Sequence, residues 1–183
     1  MTTGTVAGRE RLRLFCALRL PANVLDELER WGHAELAERI VTRANLHVTL
    51  AFLGHRPADE LPGIVEATRA TAAAATTPIL FEPARYRETR SVGMLVLGDE
   101  ERRAGRLADD LFSRLEALRV YRRERREWLP HVTVVRFRRP PRLRPPLPPI
   151  GTFSPSDAAV YHSVLRSTGA QYEVLDAFAL GGR

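Results

Sequence analysis

Two short apolar segments, Leu46-His47-Val48-Thr49-Leu50 and Pro130-His131-Val132-Thr133-Val134, each carry a His-x-Thr inside an otherwise greasy run. Such runs predict β-strands, and side chains on a strand alternate between its two faces. His47 and Thr49 therefore leave one face while Leu46, Val48 and Leu50 leave the other, and His131 with Thr133 repeats the arrangement. An imidazole taken out of water needs a partner or a wet cleft, so each strand requires one packed face and one polar face. A single motif of this kind would fit a structural histidine. Two of them, 84 positions apart from 47 to 131, are accounted for most simply if the polar faces look at each other across one cleft.

The rest of the chain supplies the elements for such a cleft. Residues 1–9 are small and polar and predict a tail, leaving 10–183 as a single domain. Arg11 to Leu18 predicts a first strand. Pro21 opens a helix with Val24, Leu25, Leu28 and Trp31 on one side, ended by Gly32. A strand from Asn45 to Leu53, closed by Gly54, precedes a helix over 58–75. Strands at Ile79–Phe81 and Val92–Leu97 follow. A helix over 100–119 then repeats Leu107, Leu111, Leu115 and Leu118 at helical spacing. His131–Arg136 is the next strand, and the proline-rich stretch 140–149 is an extended connection. Ala158–Leu165 and Gln171–Leu175 form a last hairpin through Ser167-Thr168-Gly169. This order is α+β, with no composition shift to mark a linker, and predicts two lobes within one domain.

Composition narrows the chemistry. All 28 basic residues of the 183 are arginine, which removes lysine Schiff bases, P-loop lysines and nucleotidyl-lysine intermediates from consideration. Cys16 is the only cysteine, so an internal disulfide is excluded and a packing role in a reducing compartment is expected. Cys/His pairs with zinc spacing are absent. No apolar run approaches the roughly 20 residues that span a bilayer, and the first residues do not read as a leader, so a cytoplasmic protein is expected. A net charge of +6 and a pI near 10.5 fit polyanionic partners such as nucleic acid, and fit an arginine-rich genome composition equally well.

Histidine titrates near neutral pH, so two facing rings can divide the work of a hydrolysis, one neutral as general base and one protonated as general acid. Threonine hydroxyls can donate to non-bridging phosphate oxygens, and a guanidinium can neutralise charge that develops at phosphorus. Such a site needs neither metal nor cofactor.

With these residues in view, the chain resembles the 2H phosphoesterases, and among them the bacterial and archaeal RNA 2′,3′-cyclic phosphodiesterases, also called 2′-5′ RNA ligases. The resemblance lies in Arg13-Leu14-Phe15 with Leu20-Pro21, in Asn45-Leu46-His47-Val48-Thr49-Leu50-Ala51-Phe52-Leu53-Gly54, and in Pro130-His131-Val132-Thr133 with Arg136. It implies a bilobal pseudo-symmetric fold, two concave antiparallel β-sheets around a central cleft with helices packed outside. It also implies that His47 and His131 are the catalytic pair, that Thr49 and Thr133 anchor phosphate, and that Arg136 is a further phosphate ligand. The implied reaction is hydrolysis of RNA 2′,3′-cyclic phosphate ends to 2′-phosphate, with ATP-independent 2′-5′ ligation as its reverse. In the implied roles His131 activates water and His47 protonates the departing 3′ oxygen.

Arg136 lies five positions past His131, so ideal alternation sends it to the opposite face unless the strand bulges, twists or ends after Val135; a solvated arginine at a strand end is the alternative. The partner is expected to be RNA with a 2′,3′-cyclic phosphate end or a small cyclic nucleotide phosphate, acted on by a monomer. A non-catalytic module that merely holds an RNA end is a reading from another class. His33, His55 and His162 read as structural or surface residues. Phe15 and Tyr161 could stack on a base, although aromatic residues in strands more often pack in a core. Arg119, Arg122, Arg123, Arg125 and Arg126 form either a guide for an RNA backbone or a solvated basic loop. Ser163 and Tyr172 occupy places comparable to polar residues of the family's last hairpin and stay outside the expected site.

Overall fold

The computed structural model describes residues 10–36, 39–167 and 169–181, so the expected tail at 1–9 and Thr168 of the last turn lie outside the described residues. Seven antiparallel strands run in the order β3-β4-β5-β2-β1-β6-β7. In chain order they are β1 (Arg11–Arg19), β2 (His47–Pro57), β3 (Phe81–Glu88), β4 (Val92–Asp99), β5 (His131–Arg136), β6 (Asp157–Arg166) and β7 (Gly169–Phe178). Three helices, α1 (Ala22–Glu35), α2 (Leu61–Ala74) and α3 (Arg103–Ala117), pack on one face.

The two expected lobes correspond to β3-β4-β5 and β2-β1-β6-β7, and they are joined edge to edge by one register pair, Val48 with Val132. Each lobe contains the same unit, strand, helix and antiparallel partner strand: β1-α1-β2 in one and β4-α3-β5 in the other. The histidines open the closing strand of each unit, which accounts for their spacing.

Strand alternation sorts the sheet into a helix side and an open side. Leu14, Cys16 and Leu18 of β1, Leu95 and Leu97 of β4, and Val132 of β5 join the core under the helices. Phe15 and Ala17 point the other way, into a small cluster with Ala159 and Tyr161. Each fully buried leucine side chain contributes roughly 1.5–3 kcal/mol by leaving water. Cys16 is fully buried and lies 3.4 Å from Thr68 Oγ1, and burial pushes its thiol up to about 11, so it packs and does not react. On the outer lobe a bidentate pair of Arg19 with Asp157, at 2.7 and 2.6 Å, ties β1 to β6.

Several boundaries differ from the sequence reading for identifiable reasons. α1 continues past Gly32, which is buried in the helix, to Glu35. Gly54 does not end β2: it adopts φ +68 inside the strand, opposite Leu14, where the β1–β2 register shifts. β3 starts at Phe81 and extends through the polar residues to Glu88, because β4 offers it a ladder that local polarity does not reveal. Leu118 lies beyond α3 and is exposed. α3 itself is held at its start by Asp99, whose carboxylate accepts from the backbone N–H of Ala104 (2.9 Å) and Gly105 (2.8 Å). The proline-rich connection is extended as expected and is anchored by the Glu88 carboxylate, which accepts from the N–H of Arg142 and Leu143, and by Trp31 Nε1 donating to the Pro146 carbonyl at 2.8 Å.

Candidate active site

The cleft forms where β2 and β5 part. Val48 and Val132 pair in the antiparallel sense, which sets His47 beside Thr133 and Thr49 beside His131. Past that pair, β2 follows β1, while the edge of β5 is taken up by the segment before β2. Val41 donates its N–H to the Val134 carbonyl (2.8 Å), Arg136 donates to the Arg39 carbonyl (3.0 Å), and Ile40 bridges Val135. The diverging strands leave a cleft of about 980 Å³ with His47, Thr49, Thr133 and Arg136 on its wall. His131 lines an adjoining chamber of about 860 Å³, and Thr49 and Phe52 stand on the divide between the two.

Both rings are oriented in the same way. Nδ1 of His47 donates to the Asn45 carbonyl at 2.8 Å, and Nδ1 of His131 donates to the Leu129 carbonyl at 2.8 Å, which leaves Nε2 as the basic nitrogen of each neutral ring. His47 Nε2 then accepts from the Thr49 hydroxyl at 3.0 Å. Behind His47, Phe15 packs at 5.0 Å between centroids and is itself stacked on Tyr161 at 4.8 Å, while Tyr172 meets His47 edge-on at 5.5 Å. Phe15 and Tyr161 are buried and support the ring, and Phe15 also lines the cleft. Trp128 Nε1 donates to the Thr49 carbonyl at 3.0 Å and fixes the backbone of the first motif from the side of the second.

Arg136 faces the cleft. The β4–β5 register runs Val135 with Gly93 and then Thr133 with Met94, leaving Val134 unmatched, and this bulge buries Val134 and Val135 in succession. The extra residue reverses the parity of alternation, so Arg136 emerges on the side of Thr133. Gly93 is required at that bulge, because a Cβ there would fall on the Tyr86 hydroxyl and within 2.6 Å of Val135 Cγ1. β2 does the same thing after its own motif: Ala17 pairs with Thr49 and Cys16 with Ala51, so Leu50 is unmatched and Phe52 emerges exposed. Phe52 is thus the counterpart of Arg136, five residues past its histidine, and the Arg13 guanidinium lies 5.0 Å from its ring centre.

A model of the 2′-5′ RNA ligase superfamily matches residues 19–165. The chain belongs to that superfamily, that of the 2H phosphoesterases. No curated protein matches the sequence. Among solved structures, TT0787 of Thermus thermophilus is 28% identical with a TM-score of 0.76, the match covering 93% of this chain and 99% of that one. E. coli LigT complexed with 3′-AMP is 25% identical with a TM-score of 0.74, covering 93% and 99%. LigT complexed with NADP+ matches at 25% and 0.74 over 94% and 99%.

Several residues lining the cleft of this 2′-5′ RNA ligase superfamily member were not expected there. Ser163 and Tyr172, set aside in the sequence, both line it, with Ser163 Oγ accepting from Arg13 at 3.3 Å. Arg13 shares a face with Phe15, a signal that alternation along β1 carries. Arg39 reaches the cleft through its segment's pairing with β5, which nothing local encodes. Of the arginine run before the second motif, Arg123 and Arg126 line the His131 chamber but are engaged by Asp109 and Glu124, while Arg119, Arg122 and Arg125 line neither chamber. His33 and His55 are exposed, and His162 lies 3.9 Å from Glu173. Among the described residues no group of three or more His, Cys, Asp or Glu could hold a metal ion, and no helix is long and apolar enough to cross a membrane.

His47 is held well below the usual imidazole range, at about 4, above all by burial and further by its neighbours His131 and Arg136, against the pull of the Asn45 carbonyl. An unfolded ring titrates near 6.5, so between pH 6.5 and 4 the unfolded chain carries a proton that the native chain lacks. Stability is therefore expected to fall as pH drops through that window and to level off below it, by up to about 3 kcal/mol. His47→Gln should flatten this slope in urea unfolding series. Equal slopes in the variant and the parent would show that the ring titrates near its ordinary value.

Proposed function

We propose that the protein is an RNA 2′,3′-cyclic phosphodiesterase that opens the cyclic end to a 2′-phosphate, with 2′-5′ ligation as the reverse reaction. The observation that carries this reading is the Val48–Val132 pairing, beside which two identically oriented imidazoles and two threonines line two adjoining chambers that share Thr49 and Phe52. Family membership supplies the reaction class. Water attacks phosphorus as its proton passes to Nε2 of His131, a P–O bond forms, and the bond to the 3′ oxygen breaks as that oxygen takes a proton from Nε2 of His47.

His47 is neutral in the empty cleft, so it must gain its proton together with the substrate. A bound phosphodiester anion offsets the positive charge of Arg136 that helps depress the ring. Protonation also turns Nε2 into a donor, which frees the Thr49 hydroxyl for a non-bridging oxygen. Thr133, whose hydroxyl has no protein hydrogen bond among the described residues, is available for the same task. Arg136 faces the charge that builds on phosphorus.

The deciding assay offers a 2′,3′-cyclic phosphate oligonucleotide and the matching cyclic mononucleotide to the protein with EDTA present throughout. A 2′-phosphate product is expected; turnover only after a divalent metal is added would overturn the two-histidine scheme. The relative rates also decide a second reading, a small cyclic nucleotide phosphate as substrate, which the 3′-AMP complex of LigT favours. Thr49→Val and Thr133→Val each remove one hydrogen bond to a charged group, worth roughly 1.5–3 kcal/mol, and should lower kcat/KM by one to two orders of magnitude. Unchanged kinetics in either variant would move that threonine from the site to the scaffold.

A further inference from the structure

The open face of the sheet carries two arginines that the His-x-Thr motifs do not use. The strand registers align His131 with Val96 and Val96 with Arg85, and likewise Thr133 with Met94 and Met94 with Arg87. Leu95, Leu97 and Tyr86 pack into the core under the helices, so Val96, Met94, Arg85 and Arg87 belong to the opposite side, the side of the catalytic motifs. Two strand spacings of roughly 4.8 Å put the backbones of Arg85 and Arg87 about 10 Å from those of His131 and Thr133. Both side chains are exposed, and both line the chamber that contains His131.

Their charge is not spent within the protein. In that chamber Arg126 pairs with Glu124, Arg123 with Asp109, and Glu127 with Arg102. The guanidinium groups of Arg85 and Arg87, among the described residues, make no hydrogen bond and no ion pair. Charged residues on an edge strand such as β3 can serve only to discourage pairing with other sheets. That role would not require two guanidinium groups to share one face, in register with the two motif residues, on a chamber that adjoins the cleft at Thr49 and Phe52.

Resting on the reading above, we propose that Arg85 and Arg87 grip the backbone phosphates that precede the cyclic end, so that the preferred substrate is a strand and not a mononucleotide. A guanidinium suits this task because its planar fork can hold two phosphate oxygens. The grip reads phosphates, so it carries no base preference.

The test is the double variant Arg85→Gln/Arg87→Gln in the full chain, assayed on a cyclic-phosphate oligonucleotide and on the cyclic mononucleotide. KM for the oligonucleotide should rise at least fivefold, with KM for the mononucleotide unchanged. The plot of log kcat/KM against log salt for the oligonucleotide should also become shallower, by about 1.4 for two released phosphate contacts. The control Arg122→Gln/Arg125→Gln should match the parent. Equal losses on both substrates, no loss on either, or a loss confined to the control would each overturn the proposal. Should the parent turn over neither substrate, the catalytic reading fails by itself. The strand grip is then judged by fluorescence anisotropy with a 3′-phosphorylated oligonucleotide, where equal affinities of parent and double variant would overturn it.

Discussion

Alanine in place of His47 or of His131 is expected to lower hydrolysis of a cyclic phosphate by roughly two to four orders of magnitude, with the fold retained. In the proposed scheme each ring handles a different proton in one transition state, so neither can cover for the other. The double variant should be little worse than the more damaged single one, because groups that act as a unit are not additive. Retention of the fold is the part that needs checking at His47, which packs against Phe15 and Tyr172. His47→Gln keeps more of that contact and should lose activity to a similar degree. A single alanine variant with full activity would remove its histidine from the mechanism.

Arg136 should be nearly as costly to replace. Loss of one preorganised donor to a developing oxyanion costs about two to three orders of magnitude in kcat. Two substitutions separate its contributions. Arg136→Gln removes both the fork and the charge that helps hold His47 down, so it should cut the rate and move the limb of the pH profile that His47 sets upward. Arg136→Lys keeps the charge and loses the fork, so it should cut the rate with that limb in place. If both variants retain the parent rate, Arg136 is the solvated strand end that strict alternation implies.

The two motif strands show what the sequence makes legible and where it stops. Period-two alternation assigns His47, Thr49, His131 and Thr133 to one face each, and the α+β order of elements predicts the lobes. Alternation fails after each threonine, because Leu50 and Val134 are extra residues in their ladders. A bulge is a property of two strands in register, one of which lies far off in sequence, so neither Phe52 nor Arg136 can be assigned a side from its own neighbours. The same limit explains Arg39 and the polar length of β3, whose pairings are with β5 and β4. The histidine environment was likewise out of reach. The carbonyls of Asn45 and Leu129 that fix the rings are two residues away in sequence, but what buries His47 comes from β1, β6 and β7.

The matched bulges have a consequence for handedness of approach. Around the near-dyad through Val48 and Val132 the ring orientations and the carbonyls that hold them repeat, a near-degeneracy broken locally only in that the Thr49 hydroxyl bonds His47, the Thr133 hydroxyl is free and His47 alone is packed by aromatic rings. Five residues past each histidine that degeneracy ends: one strand offers a bare aromatic plane at Phe52 and the other a cation at Arg136. A flat, apolar end of a ligand and its anionic end would be told apart there. In the proposed scheme this difference between Phe52 and Arg136 contributes to the polarity of the site, and with it to which ring faces the leaving oxygen.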